Sequence, residues 1–557
     1  MDTHLESTTS NSTARLTVTE ASPILPPELI THIFSYLHFS ALVRASGVCK
    51  SWRNYINTDT RLWRGLLETN NMWYGGASET AFVNSINARH HRAQKFKNDR
   101  EHGALSSFIN AGAPNPYKML FRSRYITRTR YAKTEPKHTT IPAHGTSFIT
   151  CLIISRDRVI SASEQSLILV HSLSTGELLH TLEGHEGGVW SLVLHNDTLV
   201  SGSTDRTIRV WDLRSGACTH VFGGHTSTVR CLVLVRPAIQ MLETKVQWGG
   251  EKKGPRFPKR PLILSGGRDS SLRVWKLPRL GDLESEILAE DTDSGGILEA
   301  WVPEDNPYHK FHLTGHGDAI RAIAARGRTA VSGSYDCTVG VWDIATGKRK
   351  WALVGHTQKV YSVAIDDDCH QAASGSMDGT VRLWNLHNGQ CAHVLSGHTS
   401  LVGLLAVSHS HLVSASADSL LRIWDPNEGV LKKALIGHTG AITCFQHDGF
   451  KIISGSDGAL KMWDISNIGH GAATLDNSDE VPVRDLLTGA AGVYQVAFEG
   501  KWCCAAIINR QDESFINVWD FGDEADDEED WIAETMGAAF DGDDLLGEED
   551  EEVMDSN

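Results

Sequence analysis

The chain has 557 residues, of which 41% are hydrophobic and 22% charged, a composition typical of folded domains in aqueous solution. No run of about 18 apolar residues is present, and the polar start MDTHLESTTSNSTARL lacks the apolar segment of a signal peptide. We therefore expect an intracellular protein without a membrane partner, in the nucleus, the cytoplasm or both. Its ten cysteines form no CxxC pair, which predicts free, buried thiols and neither a metal site nor a cofactor.

The net charge of −16 is unevenly distributed. Residues 523–557 hold 17 Asp or Glu and no Lys or Arg, so the rest of the chain carries a net charge of +1. A nearly neutral body argues against a nucleic-acid partner, and so acidic a segment is typical of disordered, solvated chain. The basic stretch KKGPRFPKR at 252–260 is a weak nuclear signal.

Gly-His pairs recur along the chain, most of them 40 to 42 residues apart. Each is followed by a β-rich run, a turn of the SGSTD kind, and a strand that ends on Trp-Asp or a variant of it. The histidines are His185, His225, His316, His356, His398 and His438, with a looser Ala-His at His144. In the six middle units the turn aspartate lies six residues before the tryptophan; these aspartates are Asp205, Asp269, Asp336, Asp378, Asp418 and Asp457. The repeat predicts the four-stranded blades of a propeller.

Some units depart from this repeat. The third interval between Gly-His pairs is too long for one blade, so we expect insertions at about 236–260 and 278–311, which read as surface loops. The first unit has Gln165 and His171 where Asp and Trp are expected, and the last lacks its Gly-His. Counting both terminal units, the sequence predicts an all-β propeller of eight blades.

The recurring His and Asp could be interpreted as an acid/base pair. Because the same residues recur in nearly every blade, a structural network in which they satisfy buried polar groups beside the Trp ring explains them better. We therefore expect no catalytic residue, and we expect function to lie in the positions that differ between blades.

Residues 23–67 have apolar positions at helical spacing, and Pro26 and Pro27 followed by Glu28 suit a helix start. So small a bundle cannot bury all of its apolar stripe, so part of the stripe is expected to meet a partner. The face assigned to that partner carries Leu25, Pro26, Ile33 and Leu37. The alternative is a helical cap packed on the rest of the same chain.

Two columns of variable residues emerge when the blades are aligned on Gly-His. The residue five after each histidine is Ile149, Trp190, Arg230, Arg321, Tyr361, Gly403 or Thr443. The residue before the turn aspartate is Glu164, Thr204, Arg268, Tyr335, Met377, Ala417 or Ser456. By its position in the last unit, Tyr494 extends the first column. Arginine occurs in these columns only in the third and fourth units.

The aligned columns place no acid beside these three arginines, which therefore need a counter-charge. A phosphate, with about −1.5 to −2 charges and three acceptor oxygens, matches guanidinium groups bidentately. The sequence therefore predicts that Arg230, Arg268 and Arg321 bind a phosphate, while aromatic neighbours accommodate the flanking peptide. Salt bridges with loop acids are the alternative for each arginine.

The amino-terminal residues LPPELITHIFSYL, VCKSW and LW resemble the F-box, which docks onto the Skp adaptor of cullin-based ubiquitin ligases. The segment NPYKMLFRSRYITRTRYAKTEPKHTTIPAHG resembles the basic connector of the cell-division-control F-box receptors. The resemblance implies a Skp-type adaptor and a cullin as partners.

The stretches GGVWSL, SGSTDRTIRVWD and GHTSTVRCL are similar to the WD-repeat propeller of the same receptor family, which reads phosphorylated threonine or serine in short degrons. This resemblance implies the three arginines as phosphate ligands. It implies further peptide contacts by Trp190, Ser227, Thr228, Tyr335, Tyr361, Tyr494 and Arg510. Only about 22 residues precede the F-box, too few for the helical dimerisation segment of that family, which puts homodimerisation in question.

The sequence thus predicts an all-β eight-bladed WD-repeat β-propeller with an N-terminal α-helical F-box and a helical linker. The predicted parts are a disordered start (1–22), the F-box (23–67), a helical and basic linker (68–140), the propeller (141–522) and the acidic tail (523–557). The predicted function is that of the non-enzymatic substrate-recognition subunit of an SCF ubiquitin ligase, directing phosphorylated proteins to degradation in the cell cycle. The alternatives are a non-ligase WD-repeat scaffold, a receptor for a different degron class and, more distantly, a hydrolase.

Overall fold

A computed structural model describes residues 27–70, 72, 83, 86, 115–239, 256–279, 282, 306–366, 370–408, 411–466, 468 and 481–522. The predicted disordered start, most of both predicted blade insertions and the predicted acidic tail lie outside the described residues. Within the described part of the chain, no helix has the length and apolar character needed to cross a membrane.

The chain divides into two compact units. The first comprises Met1–Trp73 and Val83–Arg122, and the second comprises Tyr74–Phe82 and Ser123–Asn557. The described helices are α1 (Pro27–Ser35), α2 (Phe39–Ser46), α3 (Lys50–Thr58), α4 (Thr60–Thr69) and α5 (Pro116–Lys133).

The first unit is a bundle of short helices around an aromatic core. Asp59 caps α4, since its Oδ1 accepts the backbone N–H groups of Arg61 at 2.9 Å and Leu62 at 3.3 Å. The Trp63 ring lies 5.5 Å from that of Phe121, measured between centroids, and both side chains are buried. The helical character predicted for residues 23–67 is confirmed for the described residues 27–67.

The described residues of the second unit form eight four-stranded antiparallel sheets, which confirms the predicted eight-bladed propeller. Blade 1 comprises β2 (Ile149–Ser155), β3 (Arg158–Ser163), β4 (Ile168–Ser172) and β5 (Leu178–Leu182), and blade 2 comprises β6 (Val189–His195), β7 (Thr198–Ser203), β8 (Ile208–Asp212) and β9 (Ala217–Phe222). Blade 3 comprises β10 (Val229–Val235), β13 (Leu262–Gly267), β14 (Leu272–Lys276) and β15 (His309–Leu313), with the inserted hairpin β11 (Ala238–Ile239) and β12 (Arg256–Phe257). Blade 4 comprises β16 (Ile320–Arg326), β17 (Thr329–Ser334), β18 (Thr338–Asp343) and β19 (Lys348–Val354).

The remaining blades follow the same order. Blade 5 comprises β20 (Val360–Ile365), β21 (Gln371–Ser376), β22 (Val381–Asn385) and β23 (Cys391–Leu395), and blade 6 comprises β24 (Val402–Val407), β25 (Leu412–Ser416), β26 (Leu421–Trp424) and β27 (Leu431–Leu435). Blade 7 comprises β28 (Ile442–His447), β29 (Lys451–Ser456), β30 (Ala459–Asp464) and β31 (Val483–Thr488). Blade 8 comprises β32 (Gly492–Glu499), β33 (Trp502–Ile508), β34 (Ser514–Asp520) and, as its outer strand, β1 (Lys137–Pro142).

The ring closes because its first strand belongs to its last blade. Strand β1 pairs antiparallel with β34, from Lys137 opposite Asp520 to Pro142 opposite Phe515. The propeller's first strand thus begins at Lys137, four residues before the start at 141 predicted from the repeats, because this strand carries no Gly-His signal.

A hydrogen-bond network stabilises the typical blade, as the sequence predicted. In blade 2, Nδ1 of His185 lies 2.7 Å from Asp205 Oδ2, and its Nε2 lies 2.7 Å from Ser201 Oγ. Trp211 Nε1 donates to the same serine at 2.8 Å. Burial alone would raise the pKa of Asp205, but hydrogen bonds from His185 and Thr207 lower it well below its ordinary value. The recurring His and Asp therefore have structural partners.

Blade 7 departs from this network. Nδ1 of His438 lies 2.7 Å from Ser456 Oγ, the contact that the turn aspartate makes in blade 2. The segment from Ser454 to Trp463 is one residue shorter than the equivalent segment of blade 2. In blade 7, Ser456 therefore takes the place beside the histidine that the turn aspartate Asp205 takes in blade 2.

The end of helix α5 is anchored in the propeller by Tyr131. The ring stacks on Phe521 with centroids 4.1 Å apart, and the hydroxyl donates to the Trp502 carbonyl at 3.0 Å. Lys451 Nζ lies 4.2 Å from the centre of the Tyr131 ring, and its ammonium is paired with Asp448. Tyr131 and Lys451 are only 2% and 3% exposed, so the ammonium of Lys451 is enclosed by the rings of Tyr131, Phe450 and Phe498.

The nine described cysteines are all free thiols, as expected. The expected burial holds for Cys444, Cys503 and Cys504, whereas Cys218 is exposed. Burial raises the pKa of Cys503 to about 12, so this thiol stays protonated and inert.

Candidate functional site

The first variable column is built by a β-bulge repeated in the innermost strand of every blade. In β10, Val229 pairs with Gly267 and Cys231 with Gly266, which leaves Arg230 without a partner in the register. A bulge of this kind turns the extra residue's side chain away from the sheet. The bulged residues of the eight blades are Thr150, Trp190, Arg230, Arg321, Tyr361, Gly403, Thr443 and Tyr494.

The structure corrects the first member of this column. The bulge of blade 1 lies at Thr150, whereas counting five residues from His144 had given Ile149. The segment between that histidine and the strand is one residue longer than in the Gly-His blades. The predicted membership of Tyr494, assigned by position, agrees with its bulge in β32.

In blades 2 to 6 the second column lies beside the first, because a backbone hydrogen bond joins the turn to the start of the inner strand. The N–H of Arg268 donates to the carbonyl of Thr228 at 2.9 Å, and that of Tyr335 to Ala319 at 3.0 Å. This bond places the Arg268 backbone next to Thr228, which precedes the bulged Arg230 by two residues. The Arg268 side chain is exposed. In the shortened turn of blade 7, Ser456 is occupied by its histidine and does not belong to this column.

Aromatic rings surround the arginines. The Arg230 guanidinium carbon lies 4.0 Å from the centre of the Trp190 ring, and that of Arg321 lies 5.9 Å from the centre of Tyr361. The rings of Tyr335 and Tyr361 are 5.4 Å apart. The contacts thus form two groups, one of Arg230 with Trp190 and one of Arg321 with Tyr361 and Tyr335.

A further aromatic residue, Phe148, extends this surface and was not predicted. Its ring lies 5.9 Å from Trp190 and 6.0 Å from Tyr494. Phe148 lies outside both aligned columns, in the longer segment of blade 1. Only its place in the sequence just before the bulge could have indicated that it belongs to this surface.

Arg230 and Arg321 lie near enough for their charges to interact, and the exposed Arg268 lies on a turn of the same blade as Arg230. Burial and the nearby charge of Arg321 lower the pKa of Arg230 to about 10. Among the residues that the structure describes, no carboxylate forms an ion pair with Arg230, Arg268 or Arg321. A site of this kind favours an anion, because the anion relieves the repulsion between the guanidinium groups.

The remaining predicted peptide contacts lie on the same loops or further away. Ser227 and Thr228 are half-buried just before the bulge of blade 3. Arg510 is exposed in the turn between β33 and β34. It borders a cleft of 370 Å³ between blades 7 and 8 that Leu487, Ala490, Ile507 and Asn509 help to line.

The helical unit presents a separate apolar surface. Ile33 is 50% exposed and Leu37 is half-buried, while the predicted contacts Leu25 and Pro26 lie outside the described residues. The helices expose further large apolar side chains, namely Leu29, Tyr36, Val43 and Val48. Exposed apolar side chains favour contact with a partner where they form one continuous patch.

The two units together define the class of protein. Residues 23–69 match the F-box-like family, and residues 176–212, 307–343, 347–385, 389–425 and 429–464 match the WD domain, G-beta repeat, family. An F-box is therefore joined to a WD-repeat propeller.

Comparison with known proteins identifies the family more closely. The chain is 38% identical over 506 residues to cell division control protein 4 of Candida albicans, covering 89% of this chain and 67% of that protein. It is 34% identical over 520 residues to the protein of the same name from Saccharomyces cerevisiae, covering 89% and 60%. A 169-residue segment is 32% identical to F-box/WD repeat-containing protein 7 of Drosophila melanogaster, covering 30% of this chain and 11% of that protein.

The chain belongs to the F-box/WD-repeat family of cell division control protein 4. It spans 67% and 60% of the two fungal relatives. Among solved structures, the computationally designed Ika8 protein aligns with 59% of this chain and all of its own at 26% identity, with a TM-score of 0.41.

Proposed function

We propose that the chain is the substrate-recognition subunit of an SCF-type ubiquitin ligase and captures phosphorylated peptides on its propeller. The F-box binds a Skp-type adaptor, which connects it to a cullin, and the captured protein is ubiquitinated and degraded. The chain itself has no catalytic role in this proposal. It raises the effective concentration of substrate lysines near the conjugating enzyme.

The unneutralised arginine cluster carries the proposal. A phosphate monoester has three acceptor oxygens and about −1.5 to −2 charges at neutral pH. Burial and the charge of Arg321 lower the pKa of Arg230, so a dianion bound beside Arg230 is attracted by both guanidinium groups. The rings of Trp190 and Tyr361 beneath them hold these groups in place and offer apolar surface to the flanking peptide.

Calorimetric titration of matched phosphorylated and unphosphorylated peptides tests phosphate reading. Each charge-assisted bond is worth about 1.5–3 kcal/mol, so alanine at Arg230, Arg268 or Arg321 weakens binding about 10- to 150-fold. Arg214→Ala is the matched control, because this exposed arginine is paired with Asp197 away from the cluster. If all variants and the wild type bind both peptides alike, the proposal is wrong.

Adaptor binding is tested by placing a charge on the exposed apolar face of the F-box. Ile33→Asp is expected to abolish co-precipitation of a Skp-type adaptor and a cullin, since a carboxylate buried in an apolar interface lacks a partner. Val394→Asp is the control, because Val394 is 49% exposed on the propeller and Ile33 is 50% exposed. Retained adaptor binding by Ile33→Asp would favour a scaffold whose helical unit has another role.

A further inference from the structure

The second half of helix α5 is strongly basic. Between Ser123 and Lys133 it carries four cations and no acid, namely Arg124, Arg128, Arg130 and Lys133. Arg124 and Arg128 are four residues apart, a spacing at which like charges destabilise a helix. Lys133 is exposed and Arg128 half-buried. Among the residues that the structure describes, no carboxylate forms an ion pair with either of these two, so an anionic partner would relieve the repulsion along the helix.

Two acids around the end of this helix already have other partners. Glu135, which follows α5 closely in sequence, pairs with Arg484 at 2.9 Å. Asp448 pairs with Lys451, whose ammonium lies against the Tyr131 ring of the helix. The counter-charge for the exposed side of α5 therefore has to come from elsewhere.

The described part of the propeller ends beside the same helix. Phe521 stacks on Tyr131, with ring centroids 4.1 Å apart. Asp520 lies opposite Lys137 in the pairing of β34 with β1, and Lys137 follows the last residue of α5 by only four positions. These two contacts place Gly522, and with it the start of the segment that follows, at the carboxyl end of α5.

That segment, residues 523–557, is the acidic tail, with 17 Asp or Glu and no Lys or Arg. Seven of these acids fall within residues 523–530. Eight residues of extended chain span about 26 Å, at about 3.3 Å per residue. The 18 residues of α5 span about 27 Å, at about 1.5 Å per residue. The acids nearest Gly522 can therefore reach every cation in the second half of the helix.

We propose that the acidic tail docks on the basic half of α5 of its own chain. Because the start of the tail is held beside the helix, its effective concentration there is about millimolar, so a contact with a Kd of about 0.1 mM is about 90% occupied. Exposed ion pairs are weak and screened by salt. The carboxylates therefore stay in water, and the tail remains solvated while it is held by charge.

The docked tail shields the helix from other polyanions and leaves the arginines of the propeller free. A polyanion in solution has to displace the tail, which weakens its apparent affinity for α5 about tenfold at these values. Tyr131 packs 6.4 Å from Phe498, near the end of β32, whereas Tyr494 lies near the start of that strand, in the aromatic surface beside Trp190. The helix and the proposed peptide site thus lie at opposite ends of the blades.

Competition with a labelled peptide tests the contact in the full-length chain. The probe is a fluorescent synthetic peptide of residues 523–557, and its binding is followed by fluorescence anisotropy at low salt. It is titrated against the wild type and against a neutral-tail variant, in which Asn and Gln replace the 17 tail acids at unchanged length. The neutral-tail variant is expected to bind the peptide about tenfold more tightly than the wild type. Salt at about 0.5 M is expected to abolish this binding.

Two double substitutions in the neutral-tail variant locate the contact. Arg128→Gln with Lys133→Gln is expected to weaken peptide binding about two- to thirtyfold, because two exposed ion pairs are lost. Lys348→Gln with Lys350→Gln is the matched control, because it removes the same charge from two exposed side chains of β19; it is expected to leave the affinity unchanged. Urea unfolding is expected to give both double variants the midpoint of the neutral-tail variant, which shows that neither has lost the fold.

Equal affinity of the wild type and the neutral-tail variant for the peptide would overturn the inference. Equal weakening by the two double variants would overturn it as well, since the peptide would then be attracted by the whole chain and not by α5. If the wild type sediments as a dimer that dissociates at high salt, while the neutral-tail variant is a monomer, the tail binds a second copy, and its assignment to its own chain is wrong. Each of these outcomes leaves phosphate reading by the propeller intact.

Discussion

Replacing Tyr131 with alanine is expected to destabilise the propeller strongly. This side chain is 2% exposed, stacks 4.1 Å from Phe521 and lies 4.2 Å from the ammonium of Lys451. Truncation of a large buried aromatic residue to alanine costs about 3–5 kcal/mol, because apolar contacts are lost and a cavity remains. The buried lysine also loses one of its aromatic neighbours, a contact worth about 2 kcal/mol when desolvated.

A second variant separates packing from hydrogen bonding at the same position. Tyr131→Phe keeps the ring over Phe521 and removes only the donor to the Trp502 carbonyl, a bond of 3.0 Å. A net hydrogen bond of this type contributes about 0.5–1.5 kcal/mol. The phenylalanine variant is therefore expected to lose about 1 kcal/mol, and the alanine variant about 4 kcal/mol.

Urea unfolding of the full chain, followed by tryptophan fluorescence, measures the free energy of unfolding of the propeller. Tyr36→Ala is the matched control, because this tyrosine is 77% exposed in the helical unit and its loss leaves the propeller transition unchanged. Equal midpoints for Tyr131→Ala and the wild type would show that the end of α5 does not contribute to the stability of blades 7 and 8.

Three further outcomes are expected. Arg268→Lys should recover only part of the phosphopeptide affinity lost in Arg268→Ala, as judged by calorimetry, because lysine keeps the charge without the planar fork; full recovery would argue against bidentate binding. Truncation after Gly522 should change phosphopeptide affinity by less than about tenfold, equivalent to roughly 1.4 kcal/mol, because the predicted acidic tail is expected to stay solvated; a larger loss would give the tail a role in the site or its fold. Burial, helped by Lys461, lowers the pKa of His438 to about 4, so below pH 6.5 the unfolded chain binds a proton that the folded chain does not, and the free energy of unfolding falls as the pH decreases from about 6.5 to about 4. His438→Gln should reduce this slope in urea titrations at several pH values, and an unchanged slope would contradict the assignment.

The sequence predicted the blade count and the recurring network because each depends on local repetition. One Gly-His, one turn aspartate and one tryptophan specify one blade, and their hydrogen bonds lie within that blade. The missing outer strand of blade 8 could not be seen in the same way, because it comes from the other end of the propeller. Its pairing depends on ring closure rather than on any local signal.

The variable columns were predicted with errors of one residue, and these errors have a physical cause. Counting from a histidine assumes that each loop has equal length. The longer segment of blade 1 moves the bulge to Thr150, and the shorter turn of blade 7 removes Ser456 from its column. Strand pairing fixes the register. Residues that follow a longer or shorter loop are therefore aligned by their pairing in the sheet and not by their distance in sequence from the histidine.

An alignment of the blades by sequence also misses a contact that is made by residues of different strands in different blades. In blade 3 the guanidinium of Arg273, two residues before the tryptophan, donates to the Gly224 carbonyl at 2.7 Å. Blade 4 has Gly340 at the equivalent position, and Arg349 of the outer strand donates to the Gly315 carbonyl at 2.7 Å instead. The contact is kept while its residue changes strand, so a blade that departs from the sequence pattern still satisfies the carbonyl.

The repeated bulge explains why recognition and stability can be separated in this fold. The bulged residue has no partner in the strand register, so its side chain varies from Gly403 to Trp190 without changing the ladder. The network residues cannot vary in this way, because a change at Ser201 would leave Nε2 of His185 and the Nε1–H of Trp211 without their shared hydrogen-bond partner. Differences between blades therefore accumulate at the bulges, and in this chain they place the arginines beside aromatic rings in neighbouring blades.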